Sequence, residues 1–148
     1  MKLICQNKKA SYDYFILDTY EAGIKLTGTE IKAIRAGKIN INDAYVITKP
    51  NKVYILNMYI GKYDLGNIFN HQERRSRELL LNKREIRKIE SKVKTDGITV
   101  IPIKAYFKDA LVKIEIALAK GKNKADKRES LKEKEREMQI KKAVKNRF

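Results

Sequence analysis

Arg74-Arg75-Ser76-Arg77 puts three guanidinium groups within four residues, directly ahead of the apolar run Leu79-Leu80-Leu81. A planar guanidinium grips two phosphate oxygens at once, so the cluster suits a phosphate backbone, although a solvated loop would read the same way. Asn7-Lys8-Lys9 precedes a segment carrying Tyr12 and Tyr14. A basic edge beside aromatic rings fits charge neutralisation with stacking on unpaired bases, or two tyrosines packed half inside a barrel wall. Lys120-Gly121-Lys122-Asn123-Lys124 joins ammonium groups to a glycine that lets backbone approach a phosphate chain. Glu21, a carboxylate in basic surroundings, suits hydrogen bonds from base amino groups or the orientation of a neighbouring Lys or Arg. Catalysis is poorly supplied. His71, the one histidine, lies beside the arginine run and reads as a loop residue or an RNA contact rather than a catalytic base. Gly121-Lys122 lacks the upstream glycine spacing of a P-loop, and Gly28-Thr29-Glu30 has no correctly placed lysine, so no nucleotide hydrolase is expected. One Cys and one His leave no Cys/His metal site and no intramolecular disulfide, and no cofactor is expected.

Charge sets the class of partner. The 148 residues carry 34 Lys and Arg against 18 Asp and Glu, a formal net charge of +16. So large a surplus attracts polyanions, with nucleic acid the default and anionic lipid the other abundant source. At 43% hydrophobic residues the chain can bury a core. Its apolar runs last only a few residues, far short of the roughly 20 that cross a bilayer, and its start lacks a secretory apolar stretch. The expectation is a cytoplasmic protein with no membrane partner.

Two regions must position these groups. Residues 1–118 alternate apolar and polar side chains in short runs and predict a barrel, whereas residues 119–148 hold 12 basic and 5 acidic residues with only scattered apolar side chains. Strands are predicted at Tyr12 to Asp18, Gly23 to Leu26, Ala44 to Thr48, Lys52 to Ile60, Leu79 to Leu81, Ile98 to Lys108 and Ala110 to Leu118, the last two joined as a hairpin. A first helix is predicted from an N-cap at Thr29 to Ala36, stopped by Gly37. A second opens at Asn82 with a capping box, carries Ile86, Ile89 and Val93 on one face, and stops at Gly97. Short strands with two helices indicate a small closed or nearly closed barrel of the α+β kind, mainly β. The basic tail has Asp126 and Glu129 early and Lys141, Lys142, Lys145 and Arg147 late, the polarity that suits a helix dipole. Its apolar stripe is too broken to offset ordering entropy, so it is expected to be disordered when free and helical, from about Asp126 to Lys145, on a polyanionic surface.

Several of these motifs, in this order and spacing, resemble the small protein B family, the bacterial SsrA-binding proteins. They are Asn7-Lys8-Lys9-Ala10, Tyr20-Glu21-Ala22-Gly23-Ile24, the stretch from Gly28 to Gly37, Asn70-His71, Arg77 through Leu81, and Lys120-Gly121-Lys122 with Asp126-Lys127-Arg128. The likeness runs from about Asn7 to the C-terminus. It implies an antiparallel barrel like the oligonucleotide-binding (OB) fold, with peripheral helices and a basic C-terminal tail. It also implies binding of transfer-messenger RNA (tmRNA, SsrA RNA) in trans-translation, with no catalytic residue. The barrel would bind the tRNA-like domain, with Asn7, Tyr14, Glu21, Lys120, Gly121 and Lys122 at matching contact positions. The tail, with Lys124, Asp126, Lys127 and Arg128, would enter the decoding centre and empty message channel of a stalled 70S ribosome, against small-subunit rRNA. The alanyl-charged RNA would arrive with elongation factor Tu.

Four residues depart from the family pattern: Tyr12 stands for a frequent His, Glu73 for a usual Pro, Glu78 for an expected Lys, and Ala125 for a His or aromatic residue. The last weakens any stacking there and leaves Lys124 to compensate by charge. Two other readings remain: a generic single-stranded RNA-binding or ribosomal protein, and a ribonuclease dependent on His71.

Overall fold

Alternation drives the longest elements. Val112, Ile114, Ile116 and Leu118 are buried at every second position of one long strand, and Val100 is buried in the long strand beside it. In the structure, a computed structural model that describes residues 2–63, 70–95 and 97–122, these strands are β8 (Ile98–Lys108) and β9 (Leu111–Gly121). They form the predicted antiparallel hairpin, turning at Asp109, whose φ of 55 a short polar side chain tolerates. The preceding elements are β1 (Lys2–Gln6), α1 (Ala10–Asp13), β2 (Tyr14–Ile24), α2 (Gly28–Arg35), β3 (Ile39–Asn40), β4 (Tyr45–Lys49), β5 (Lys52–Leu56), β6 (Tyr59–Ile60), β7 (Arg77–Leu80) and α3 (Lys83–Val93).

All pairings are antiparallel. The main sheet has seven strands in the order β1-β8-β4-β5-β7-β2-β9, and the β8–β9 pairing brings its far end back on itself. Two seams are thin: β4 meets β8 only at Val46 and Val100, and β2 meets β7 only at Gly23 and Ile24. The ring is therefore OB-like and nearly closed rather than a clean barrel. Register shifts at Leu17 in β2 and Ile103 in β8 supply the bulges that bend long strands around a small core. That core includes Val53, Ile55, Met58, Ile60, Ile114 and Ile116.

Local chemistry explains the helices. Thr27, not Thr29, caps α2: its hydroxyl accepts from the Glu30 amide while the Glu30 carboxylate accepts from the Thr27 amide at 2.9 Å. The Thr27 and Thr29 hydroxyls lie 3.3 Å apart, so sequence position alone does not choose between them. Gly37 follows the helix at φ 81, the left-handed conformation that ends helices and favours glycine. Asn82 caps α3 by accepting from the Glu85 amide at 2.9 Å, and Ile86 and Ile89 are buried where α3 packs on β8 and β9. No helix among the described residues is long and apolar enough to cross a membrane.

Other boundaries differ from expectation. Tyr12 lies in the single turn of α1, not in a strand, and β2 runs from Tyr14 into the separately predicted Gly23 to Leu26 segment, ending at Ile24. The predicted strand Lys52 to Ile60 breaks at Asn57, whose φ of 60 turns the chain so that β6 leaves the main sheet to pair with β3. β9 continues three residues past the predicted end at Leu118, because Ala119, Lys120 and Gly121 pair with Ile16, Phe15 and Tyr14. β1 and β3, absent from the expectation, have their pairing partners on distant parts of the chain.

Candidate nucleic-acid interface

The two basic segments at opposite ends of the described chain meet at one end of the sheet. Asn7 is buried where β1 gives out; its backbone N–H donates to the Ile103 carbonyl at 2.6 Å and its side-chain amide to the Pro102 carbonyl at 3.2 Å. This latch holds the Lys8–Lys9 turn against the bulge in β8. The turn continues into α1, where the Asp13 amide donates to the Lys9 carbonyl at 2.9 Å. Ala10 seats on Ile101 and Ala119 in a small second core, with Tyr14 packed half-buried against it. Tyr14 therefore packs, on the outer face of the sheet beneath α1.

Lys120 and Gly121 lie opposite Phe15 and Tyr14. The Lys122 amide donates to the Asp13 carbonyl at 2.9 Å, its ammonium donates to the Ser11 carbonyl at 3.0 Å, and that ammonium stands 4.9 Å over the Phe15 ring. Asn7, Lys8, Lys9, Tyr12, Tyr14, Lys120, Gly121 and Lys122 are thus one continuous region, with Lys8, Lys9 and Lys120 exposed. Phe15, Ile16 and Leu17 are large apolar side chains left exposed beside it. A regular strand over the predicted span Tyr12 to Asp18 would put them on alternate faces. Three successive apolar residues, which break alternation, were the available signal.

Glu21 lies further along β2, seven residues from Tyr14. The Tyr106 hydroxyl donates to its Oε2, and the Lys108 ammonium donates to Oε1 at 3.3 Å. The Tyr106 hydrogen bond, followed by the Lys108 contact and the charges of Lys108 and Lys113, holds the Glu21 carboxyl below the usual carboxylate range, against a smaller effect of burial.

Within the arginine run, Arg77 and Arg75 turn to internal partners. Arg77 is fully buried: Nε donates to Glu30 Oε2, Nη1 to the Met58 and Arg75 carbonyls at 2.8 and 3.0 Å, and Nη2 to those of Gln72 and Glu73 at 3.4 and 3.2 Å. All five of its donors are engaged, and none remains for a phosphate. Arg75 binds Glu30 Oε1 at 2.5 Å. Arg74, exposed, donates to Asn57 and lies 5.6 Å from the Tyr59 ring centroid. Burial would raise the Glu30 carboxyl, but the bonds from Arg75, the Thr27 amide and Arg77 outweigh it and bring it below its usual value. His71 is likewise internal, with Nε2 donating to the Ile60 carbonyl and Nδ1 engaging the Thr29 hydroxyl, each at 2.9 Å. Both ring nitrogens are engaged and the side chain is buried, so His71 ties α2 to β6.

The departures acquire partners. Glu78, in place of an expected Lys, accepts from Lys25 at 2.5 Å and faces Lys52 at 3.7 Å, so a Lys there would set three cations together. Glu73 takes the Tyr59 phenol as a hydrogen-bond donor, which with burial raises that phenol. The sequence-predicted Lys124, Asp126, Lys127 and Arg128, Ala125, and the helix expected from about Asp126 to Lys145, lie outside the described residues.

A nearly closed, OB-like antiparallel sheet with lysines gathered at one end defines the class: a small basic OB-like barrel protein. The chain belongs to the SmpB protein family, whose model matches residues 4–146. It is 49% identical over 146 residues to the SsrA-binding protein of Geotalea uraniireducens (strain Rf4), covering 99% of this chain and 97% of that one. It is 50% identical over 145 residues to the SsrA-binding protein of Enterococcus faecalis (strain ATCC 700802 / V583), covering 98% and 94%. A chain in the solved structure described as "tmRNA-SmpB: a journey to the center of the bacterial ribosome" superposes with a TM-score of 0.69 at 40% identity, covering 86% of this chain and 93% of that one.

Proposed function

We propose that this chain binds the tRNA-like domain of tmRNA and brings it to stalled ribosomes for trans-translation. Family membership over nearly the whole chain carries the reading, and the gathering of Lys8, Lys9, Lys120 and Lys122 at one end of the barrel supports it. In this account the ammonium groups neutralise phosphates, and the Asn7 latch and Gly121 keep backbone close to the strand they line. Exposed Phe15 and half-buried Tyr12 offer ring surface to unpaired bases. Glu21 accepts from base amino groups at a second point of contact. His71, Arg75 and Arg77 hold the frame, and Arg74 remains the one exposed guanidinium of the run. The barrel ends with β9; the residues after it, Lys124, Asp126, Lys127 and Arg128 among them, form a second functional unit that enters the decoding centre and message channel. The alanyl-charged RNA travels with elongation factor Tu. The protein is a binding factor with no reaction of its own.

Salt tests the electrostatic part. If about 6–10 phosphates are neutralised, tmRNA affinity falls by about 10³–10⁵ between roughly 50 and 200 mM salt, by analogy with duplex DNA. The measurement is a filter-binding titration over that range with purified tmRNA. A complex whose affinity does not change with salt would contradict the proposed lysine contacts.

A further inference from the structure

Glu21 lies directly across from Glu115 of β9, and Glu115 lies across from Lys104 of β8. Residues opposite one another in a sheet share a face, so these three side chains form a row on the outer surface. One step along, Tyr106 pairs with Lys113 on the same face, and Lys108 follows two residues later. Opposite faces of these positions carry Ala22, Ala105 and Ile114, all buried in the core. Tyr106 faces outward and is nevertheless only 3% exposed. Its ring lies under the Lys104 ammonium, 5.8 Å from the centroid, and its hydroxyl reaches past β9 to Glu21.

The arrangement is more than a neutral ion pair. Glu115 is satisfied by Lys104 at 3.3 Å, which relieves its repulsion of Glu21. Each Glu21 oxygen accepts one bond from the protein, Oε2 from Tyr106 and Oε1 from Lys108, and each keeps a second lone pair. The side chain is 39% exposed, so those lone pairs can meet a ligand. Lys108 is an exposed cation, 56% accessible, whereas Tyr106 is buried. The buried donor sets the direction of the carboxylate.

We propose that Tyr106 is a positioning residue: its buried hydroxyl presets the Glu21 carboxylate as an acceptor for the ring N–H and exocyclic amino groups of an unpaired base. This rests on the reading of Glu21 as an RNA contact. Presetting one carboxylate rotamer removes the ordering cost of a flexible side chain on binding. Neighbouring charges reinforce it: Lys108 and Lys113 favour the carboxylate, while Glu115 opposes it and is itself held by Lys104.

The test is a double-mutant cycle on the full chain, with Tyr106→Phe, Glu21→Ala and the double variant, scored as the ratio of affinities for tmRNA and for random-sequence RNA of equal length. Tyr106→Phe keeps the ring, and a thermal melt on each variant verifies folding. The expected result is a two- to tenfold loss of the affinity ratio in Tyr106→Phe, about the scale of one immobilised side chain. Glu21→Ala loses at least as much, and Tyr106→Phe adds nothing once Glu21 is gone. The Glu21 carboxyl, followed by carbon NMR, titrates at higher pH in Tyr106→Phe than in wild type. A merely structural tyrosine would lower the ratio in both backgrounds and leave that titration unmoved, which overturns the proposal. If Glu21→Ala costs selectivity while Tyr106→Phe does not, positioning alone fails. If Glu21→Ala is neutral, the reading of Glu21 as an RNA contact fails and the positioning role falls with it.

Discussion

Arg77→Ala destabilises the barrel by about 3–5 kcal/mol, the scale on which breaking a buried ion pair leaves one charge uncompensated. Its guanidinium is fully buried and knits Glu30 of α2 to the carbonyls of Met58, Gln72, Glu73 and Arg75, so its loss strips Glu30 Oε2 of its donor, leaving Oε1 to Arg75 and the Thr27 amide, and removes a donor from four carbonyls at once. Urea unfolding should report a lower midpoint with little change in slope. The pair Glu30→Gln with Arg77→Met removes both charges and should recover part of the loss. A change below about 0.5 kcal/mol in Arg77→Ala, the range of ordinary surface substitutions, would mean the clamp does not hold the fold.

The same clamp predicts a pH dependence. The folded Glu30 carboxyl sits below its ordinary value, since the bonds from Arg75, Thr27 and Arg77 outweigh burial. Unfolded, it binds a proton more readily, so the stability it contributes is fully present above the unfolded pKa and is lost as pH falls through the folded one. Unfolding midpoints from neutral pH down into the acid range should therefore decline in wild type. The decline should be shallower in the Glu30→Gln, Arg77→Met pair.

Removing residues 125–148 has the largest expected functional effect: tmRNA affinity stays nearly intact, while tagging of nascent chains is abolished. The lysine-lined end of the barrel, with Lys8, Lys9, Lys120 and Lys122, survives that truncation, whereas the decoding-centre segment does not. Binding of purified tmRNA and tag addition on stalled ribosomes, measured in parallel on the same truncated protein, separate the two roles. Loss of RNA binding along with tagging would contradict the division of labour and favour a single extended RNA surface.

What could be read from the chain alone follows a physical line. The β8–β9 hairpin was legible because β9 buries every second residue from Val112 to Leu118, and α2 and α3 were legible from Gly37 at positive φ and the Asn82 cap, although the α2 cap is Thr27 and α3 ends at Val93, before Gly97. The Lys8–Lys9 and Lys120–Lys122 segments were legible as basic, but their meeting was not, since it depends on Tyr14 pairing with Gly121 across the sheet. Arg77 misled because a guanidinium fits a buried carboxylate as well as a phosphate, and its partner Glu30 lies 47 residues earlier with nothing local to mark it. His71 was obscured in the same way, its two nitrogens claimed by Thr29 and Ile60 from other elements. The bulge at Leu17 shifts the face of every later residue in β2, so strict alternation could not place Glu21 beside Tyr106.

The most direct test of the central claim is recovery of the RNA that the full chain holds in a bacterial lysate. Affinity-tagged protein, washed at moderate salt and followed by sequencing of the bound RNA, should return tmRNA enriched far above its share of cellular RNA. The Glu21→Ala variant should return less of it against an unchanged background. A pool that mirrors total RNA, or one dominated by ribosomal RNA without tmRNA, would contradict the account.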